Sequence, residues 1–188
     1  MICIKSPIKR LVRTIKTDPW STVALPDFTQ VGATNLAQWR PRMATTTVQN
    51  FADHLEIQQV LNLYASALDK HQWSDLEQVF TEDAVADFIG IGVCEGRQAI
   101  TELVTGVLTQ CAVTQHLLGN STIDVDGDKA TASCYLSAMH AGLGDYAAEI
   151  FTVWGEYNDQ LVRTADGWRI AHRSLTTMHA SGNIGLNG

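Results

Sequence analysis

Two Asp-Gly dipeptides, at 126–127 and 166–167, constrain the fold of this chain more than any other feature. Each sits between two runs in which apolar and polar side chains alternate. Asp-Gly in that setting marks a tight hairpin, because both residues tolerate the positive φ that such turns demand. The first turn joins Val113–Val125 to Ala130–His140, and the second joins a run over Ala148–Arg163 to Trp168–Thr176. The strand from Val113 is long enough to need a bend, and Gly119-Asn120 offers a place for a bulge.

Upstream the period changes. Ile57, Val60, Leu61, Tyr64, Ala65 and Leu68 recur at three- and four-residue steps, the mark of an amphipathic helix. Ser74-Asp75-Leu76-Glu77 reads as a capping box opening a short helix that ends near Phe80. Ala84–Ile89 reads as a strand, Gly90–Gly96 as a turn region, and Gln98–Leu108 as a helix with Ile100, Leu103, Val104 and Val107 on one face. Helices first and long strands afterwards give an α+β fold, with the helices packed in the concave face of a curled, mostly antiparallel sheet. Such a sheet encloses a cavity, where a small-molecule function belongs.

Residues 1–50 differ from the rest. They hold all four prolines and carry Lys5, Lys9, Arg10, Arg13, Lys16, Arg40 and Arg42 against Asp18 and Asp27. That balance of +5 leaves −12 for the remainder of a chain whose net charge is −7. The expectation is a weakly ordered extension over 1–50, a domain over 51–176 and a tail over 177–188. A targeting segment at Ile4–Ile15 and a start at Met43 are the alternatives for the extension. A domain this acidic is a poor partner for nucleic acid. No apolar run approaches the roughly 18–20 residues that span a bilayer, so a cytoplasmic location is expected. Cys3, Cys94, Cys111 and Cys134 show no metal-like spacing and read as small apolar residues in a reducing compartment. The six histidines lack ligand spacing, and there is no nucleotide-binding glycine motif, so neither a metal nor a cofactor is expected.

Two residues carry the chemical case. Asp69 lies at the edge of the buried stripe, near the C-terminal end of its helix. Burial and the helix dipole both disfavour a lone negative charge there, so a proton donor should face it. His116 stands in the mainly apolar strand Val113-Thr-Gln-His-Leu-Leu-Gly-Asn120. Its imidazole can exchange a proton near neutral pH, and a carboxylate on one ring nitrogen would leave the other free as a base. Tyr64 lies a turn before Asp69, with His140, Tyr157 and Arg163 on later strands, and these four are candidate substrate-binding residues. His172 and Arg173 read as structural.

The succession Ile57–Asp69, Trp73–Ala84, Gly96-Arg-Gln-Ala-Ile100, Thr114-Gln-His116, Asp124–Ala130 and Gly167-Trp-Arg-Ile-Ala-His-Arg173 resembles the SnoaL-like branch of the NTF2-like superfamily over about residues 51–176. The resemblance implies a cone-shaped domain that forms a homodimer or homotrimer. It also implies a cofactor-free lyase or isomerase, dehydratase-like or dehydrohalogenase-like, in which Asp69 and His116 form a proton-abstracting dyad. The substrate would be small and largely apolar, aromatic or polyketide-like, and Arg163 would match a late-strand arginine aimed at a leaving group. Non-catalytic binding domains and the β-subunits of ring-hydroxylating dioxygenases share the same pattern, so both remain open.

Overall fold

A computed structural model describes residues 48–88 and 92–185. The expectations for residues 1–47, for 89–91 and for 186–188 lie outside those bounds. Helix α1 (Val48–Asp69) is followed by a short 3₁₀ helix (Trp73–Gln78) and strands β1 (Phe80–Phe88) and β2 (Gly92–Glu95). Helix α2 (Arg97–Leu108) follows, then the long strands β3 (Val113–Asp126), β4 (Lys129–Ala141), β5 (Ile150–Thr164) and β6 (Gly167–Ser181). The six strands form one curled sheet in the order β2-β1-β6-β5-β4-β3, open at both edges. All neighbours are antiparallel except β1 and β6, which run parallel.

Both Asp-Gly turns form where expected, with Gly127 and Gly167 at positive φ. The bend in β3 is also present. Its register with β4 shifts between Gly119 and Thr122, and Asn120 takes the left-handed conformation at φ 53°. Strand β4 alternates strictly, with Cys134, Leu136, Ala138 and His140 buried and their neighbours outward. The buried side of α1 consists of Ile57, Val60, Leu61, Tyr64, Ala65, Ala67 and Leu68, together with one carboxylate, Asp53. These side chains meet Phe80, Ile100, Leu161, Trp168 and Ile170 in a single core. Each fully buried Leu or Ile contributes roughly 1.5–3 kcal/mol of transfer free energy.

Several boundaries differ from the sequence reading. Helix α1 begins at Val48, so the last three residues assigned to the extension are helical. Strand β6 runs to Ser181, five residues beyond the expected end of the domain, because Ala180 and Ser181 pair with Val153 and Thr152. Part of the expected turn region is strand β2, hydrogen-bonded to β1 from Val85 to Phe88. Ser74 caps nothing. The chain reverses at His71 (φ 55°), and Trp73 stacks on the His71 ring at 4.9 Å; the 3₁₀ turn starts at Trp73 with Gln72 in the cap position, two residues earlier than a Ser74 cap requires. Phe80 opens β1 instead of closing that helix.

Candidate active site at the end of the first helix

Asp69 is the last residue of α1, and β3 lies at the free edge of the sheet. An edge strand leaves alternate backbone N–H groups without a strand partner. At His116 that N–H donates to Asp69, at 2.9 Å to Oδ2 and 3.1 Å to Oδ1. The Thr114 hydroxyl donates to Oδ1 at 3.1 Å, and His116 Nδ1 lies 2.7 Å from the same oxygen. One carboxylate therefore ends the helix, closes the sheet edge and holds the imidazole.

The electrostatics follow from that geometry. Partial burial pushes the Asp69 carboxyl up, but the His116 ring, the His116 amide and the Thr114 hydroxyl together outweigh it and hold it below the usual range. An ionised carboxylate only accepts, so the proton between the two side chains sits on Nδ1. Nε2 of neutral His116 is then a lone-pair base, and Asp69 would stabilise the imidazolium formed when it takes a proton.

The His116 ring lines a cavity of about 100 Å³ together with Tyr64, Leu68, Phe88, Leu103, Val104, Val107, Leu108 and Tyr157. Among the described residues that line it, the two tyrosines supply the only side-chain polar groups besides the imidazole. Their rings meet edge to face at 5.7 Å, and burial raises both phenols above their ordinary value. Tyr64 and Tyr157 thus line the same cavity as His116.

His140 does not line that cavity. It is buried behind His116, with the two rings edge to face at 5.5 Å, and its Nδ1 donates to the Phe151 carbonyl at 3.3 Å. Burial, reinforced by the neighbouring His116, holds its pKa below the ordinary histidine value. It is a neutral support for the imidazole, placed there because Thr114 and His140 are cross-strand partners.

Arg163 is corrected outright. Its Nη1 lies 2.7 Å from Asp53, its Nε lies 3.0 Å from Asp128, and its guanidinium covers the Trp168 ring at 4.5 Å. Asp53 precedes Asp69 by four and a half turns of α1, about 24 Å along the helix. Arg163 pins the opposite end of that helix and cannot reach a ligand beside His116.

The arginine that does approach the cavity is Arg173, which the sequence pattern assigns a structural part alone. It is fully buried and binds Asp159 through Nε at 2.7 Å and Nη2 at 2.6 Å. Its guanidinium lies 4.1 Å from the Tyr64 ring centre and 4.2 Å from that of Tyr157. Burial disfavours its charge, but the Asp159 carboxylate more than compensates and its pKa is raised. Nη1 has no hydrogen-bond partner among the described residues. The available sequence signal is a polar residue, Asp159, at an inward position between Tyr157 and Leu161. Strict alternation from Trp168 would turn Arg173 outward, but a register shift opposite Gln160–Leu161 reverses the parity of β6. Among the described residues no cluster of His, Cys, Asp or Glu is arranged to hold a metal ion, and no helix is long and apolar enough to cross a membrane.

Comparison with known proteins agrees with this architecture. Residues 49–174 match the SnoaL-like domain family. The uncharacterised protein Rv2910c of Mycobacterium tuberculosis H37Rv is 40% identical over 134 residues, covering 69% of this chain and 88% of its own. A Novosphingobium aromaticivorans structure, provisionally named an aromatic ring hydroxylase, is 32% identical with a TM-score of 0.63, over 71% of this chain and 94% of that one. The hexachlorocyclohexane dehydrochlorinase LinA-type3 of Novosphingobium barchaimii LL02 has a TM-score of 0.64 at 18% identity, over 73% of this chain and 94% of its own. The domain is an NTF2-like α+β fold, and the chain belongs to the SnoaL-like domain family.

Proposed function

We propose that the domain is a cofactor-independent lyase or isomerase acting on a small, largely apolar molecule, with His116 as general base and Asp69 as its partner. The observation that carries this reading is the 2.7 Å contact between His116 Nδ1 and Asp69 at the wall of an apolar cavity. Nε2 takes a proton from carbon, and the C–H electrons form a double bond. That bond either expels halide from the adjacent carbon, or expels hydroxide that takes the proton back from the imidazolium and leaves as water, or shifts as the proton is returned elsewhere. The apolar walls keep bulk water from the base and from the intermediate.

Cavity volume limits the substrate. About 100 Å³ is less than the roughly 150 Å³ that accepts benzene in a dry protein cavity. A ring-sized substrate therefore requires side chains to move on entry. Leu103 and Val107 of α2 are only partly buried and are the side chains free to do so.

Proton abstraction can be tested whichever product forms. Small carbon acids are incubated with the full chain in D₂O, and exchange of C–H for C–D is followed by NMR. A positioned general base contributes about 10²–10⁴-fold, so His116→Ala and Asp69→Asn should each slow exchange by that order while circular dichroism is unchanged. Wild-type exchange rates in both variants would sink the dyad. A second reading, favoured by the ring-hydroxylase name of the 32% identical structure, is an accessory β-subunit. It requires a second, iron-containing subunit to copurify.

A further inference from the structure

The walls of the His116 cavity are held with unequal firmness. Tyr64 and Leu68 stand on α1, whose last residue, Asp69, is bonded to β3. Phe88, His116 and Tyr157 stand on paired strands. The remaining wall is Leu103, Val104, Val107 and Leu108, all from the C-terminal half of α2. That helix packs chiefly on β1, β2 and the 3₁₀ helix, and its start is tied to β1. The Gly96 N–H donates to the Ala84 carbonyl at 2.8 Å, Arg97 Nη1 donates to that of Phe80 at 3.2 Å, and Ile100 is fully buried. Its second half has no such tie. Among the described residues, the hydrogen bonds of 103–111 all close within α2 and the turn that follows it. The next bond to the sheet runs from the Ala112 N–H to Ala141 at 2.9 Å.

The sequence weakens that half further. Gly106 is exposed in mid-helix, and a Cβ there would meet nothing within 4 Å, so no close packing requires a glycine. Glycine in a helix interior favours the unwound chain about fivefold over alanine. The last turn is already irregular. Gln110 Nε2 donates to the Gly106 carbonyl at 2.6 Å, while its backbone N–H turns to Val107 at 3.2 Å. Apolar contact is what holds this half down, and the part of that surface that walls the cavity forfeits dispersion contacts. We infer that the C-terminal half of α2 is the door of the cavity, opening about Gly106 to admit an uncharged, apolar, ring-sized molecule. Size makes a door necessary, since about 100 Å³ is below the roughly 150 Å³ that accepts benzene. Segments held by few ties open locally at the lowest cost, and no other wall is held by so few. That the visitor is a substrate rests on the reading of His116 as a base; that it enters beside α2 does not.

Benzene is the probe, because it belongs to that class and asks no proton transfer of His116. Methyl NMR of the full chain follows it. In the free wild type, relaxation dispersion should report microsecond-to-millisecond exchange at the Leu103 and Val107 methyls and none at Leu68. Benzene should bind saturably and shift the methyls of the α2 wall. Gly106→Ala should slow its entry and its exit about fivefold each, with the dissociation constant unchanged, because alanine disfavours the open helix and leaves both closed forms alone. A glycine of purely structural consequence would change stability and leave both rates as they are. Wild-type C–H exchange in the His116→Ala and Asp69→Asn proteins would sink the base and leave slowed benzene exchange standing as support for the door. An absence of saturable benzene binding overturns the inference. So does methyl exchange confined to residues outside α2, or wild-type entry and exit rates in Gly106→Ala.

Discussion

At the His116–Asp69 contact each donor has a separable task. The Nδ1–H fixes the tautomer, the backbone N–H fixes the carboxylate against the strand, and the Thr114 hydroxyl adds a third bond to Oδ1. A hydrogen bond to an ionised group is worth about 1.5–3 kcal/mol net. Thr114→Val should therefore slow proton abstraction by no more than about 150-fold, milder than the upper range for Asp69→Asn, and raise the Asp69 pKa, which carbon-detected NMR can follow. The pH dependence has a defined sign. Asp69 is held below its unfolded value, so the stability it contributes is fully present above about pH 3.9 and is lost as pH falls through its folded pKa. In the Thr114→Val protein that loss should begin at higher pH. Asp69 and His116 are both legible in the sequence because each breaks an apolar pattern and each lacks what the other supplies.

Helix α1 is tied down near both ends by carboxylates. Asp69 holds its C-terminus to the sheet edge, while Asp53 receives Trp168 Nε1 at 3.2 Å, Gln49 at 3.1 Å and Arg163 at 2.7 Å. Hydrogen bonding by Arg163, against the opposing effect of burial, and further bonds from Trp168 and Gln49 bring the Asp53 pKa down to about 2. Asp53→Ala leaves the Trp168 N–H without its acceptor, and the loss should be about 1–3 kcal/mol by urea titration. Acid should destabilise the wild type progressively from about pH 4 to about pH 2, a window that Asp53→Ala should flatten. Asp53 escapes a reading of the sequence because it lies before the first residue of the apolar stripe, where a carboxylate looks like ordinary helix surface. The strands are easier. Each long one buries a single face, so period-two alternation and the two Asp-Gly turns mark both identity and pairing. What alternation cannot carry is a change of parity, and the irregularity in β6 is what hides Arg173. Nor does it specify a parallel neighbour, because β1 and β6 are separated by most of the domain.

Across the whole domain, chemistry and stability share one cluster. Arg173 and Asp159 are fully or nearly fully buried against Tyr64 and Tyr157, which also line the cavity. Breaking a buried ion pair by removing one partner typically costs about 3–5 kcal/mol, so a change there alters fold and site together. Strand order also governs how the domain comes into being. Of the described strands β6 is the last in chain order, yet it lies between β1 and β5 and joins the β1–β2 hairpin to the β3–β5 meander. Until that segment is available the sheet is in two separate pieces, and neither can complete it. A chain ended at Thr164 should lack a cooperative unfolding transition by calorimetry, although Asp69, His116 and both cavity tyrosines are all present in it. During synthesis the domain must therefore wait for its final strand, with the apolar inner faces of β3–β5 open to the solvent and to chaperones. The proton-abstracting capacity proposed for this site would then arrive in one step, when strand β6 enters the sheet between β1 and β5.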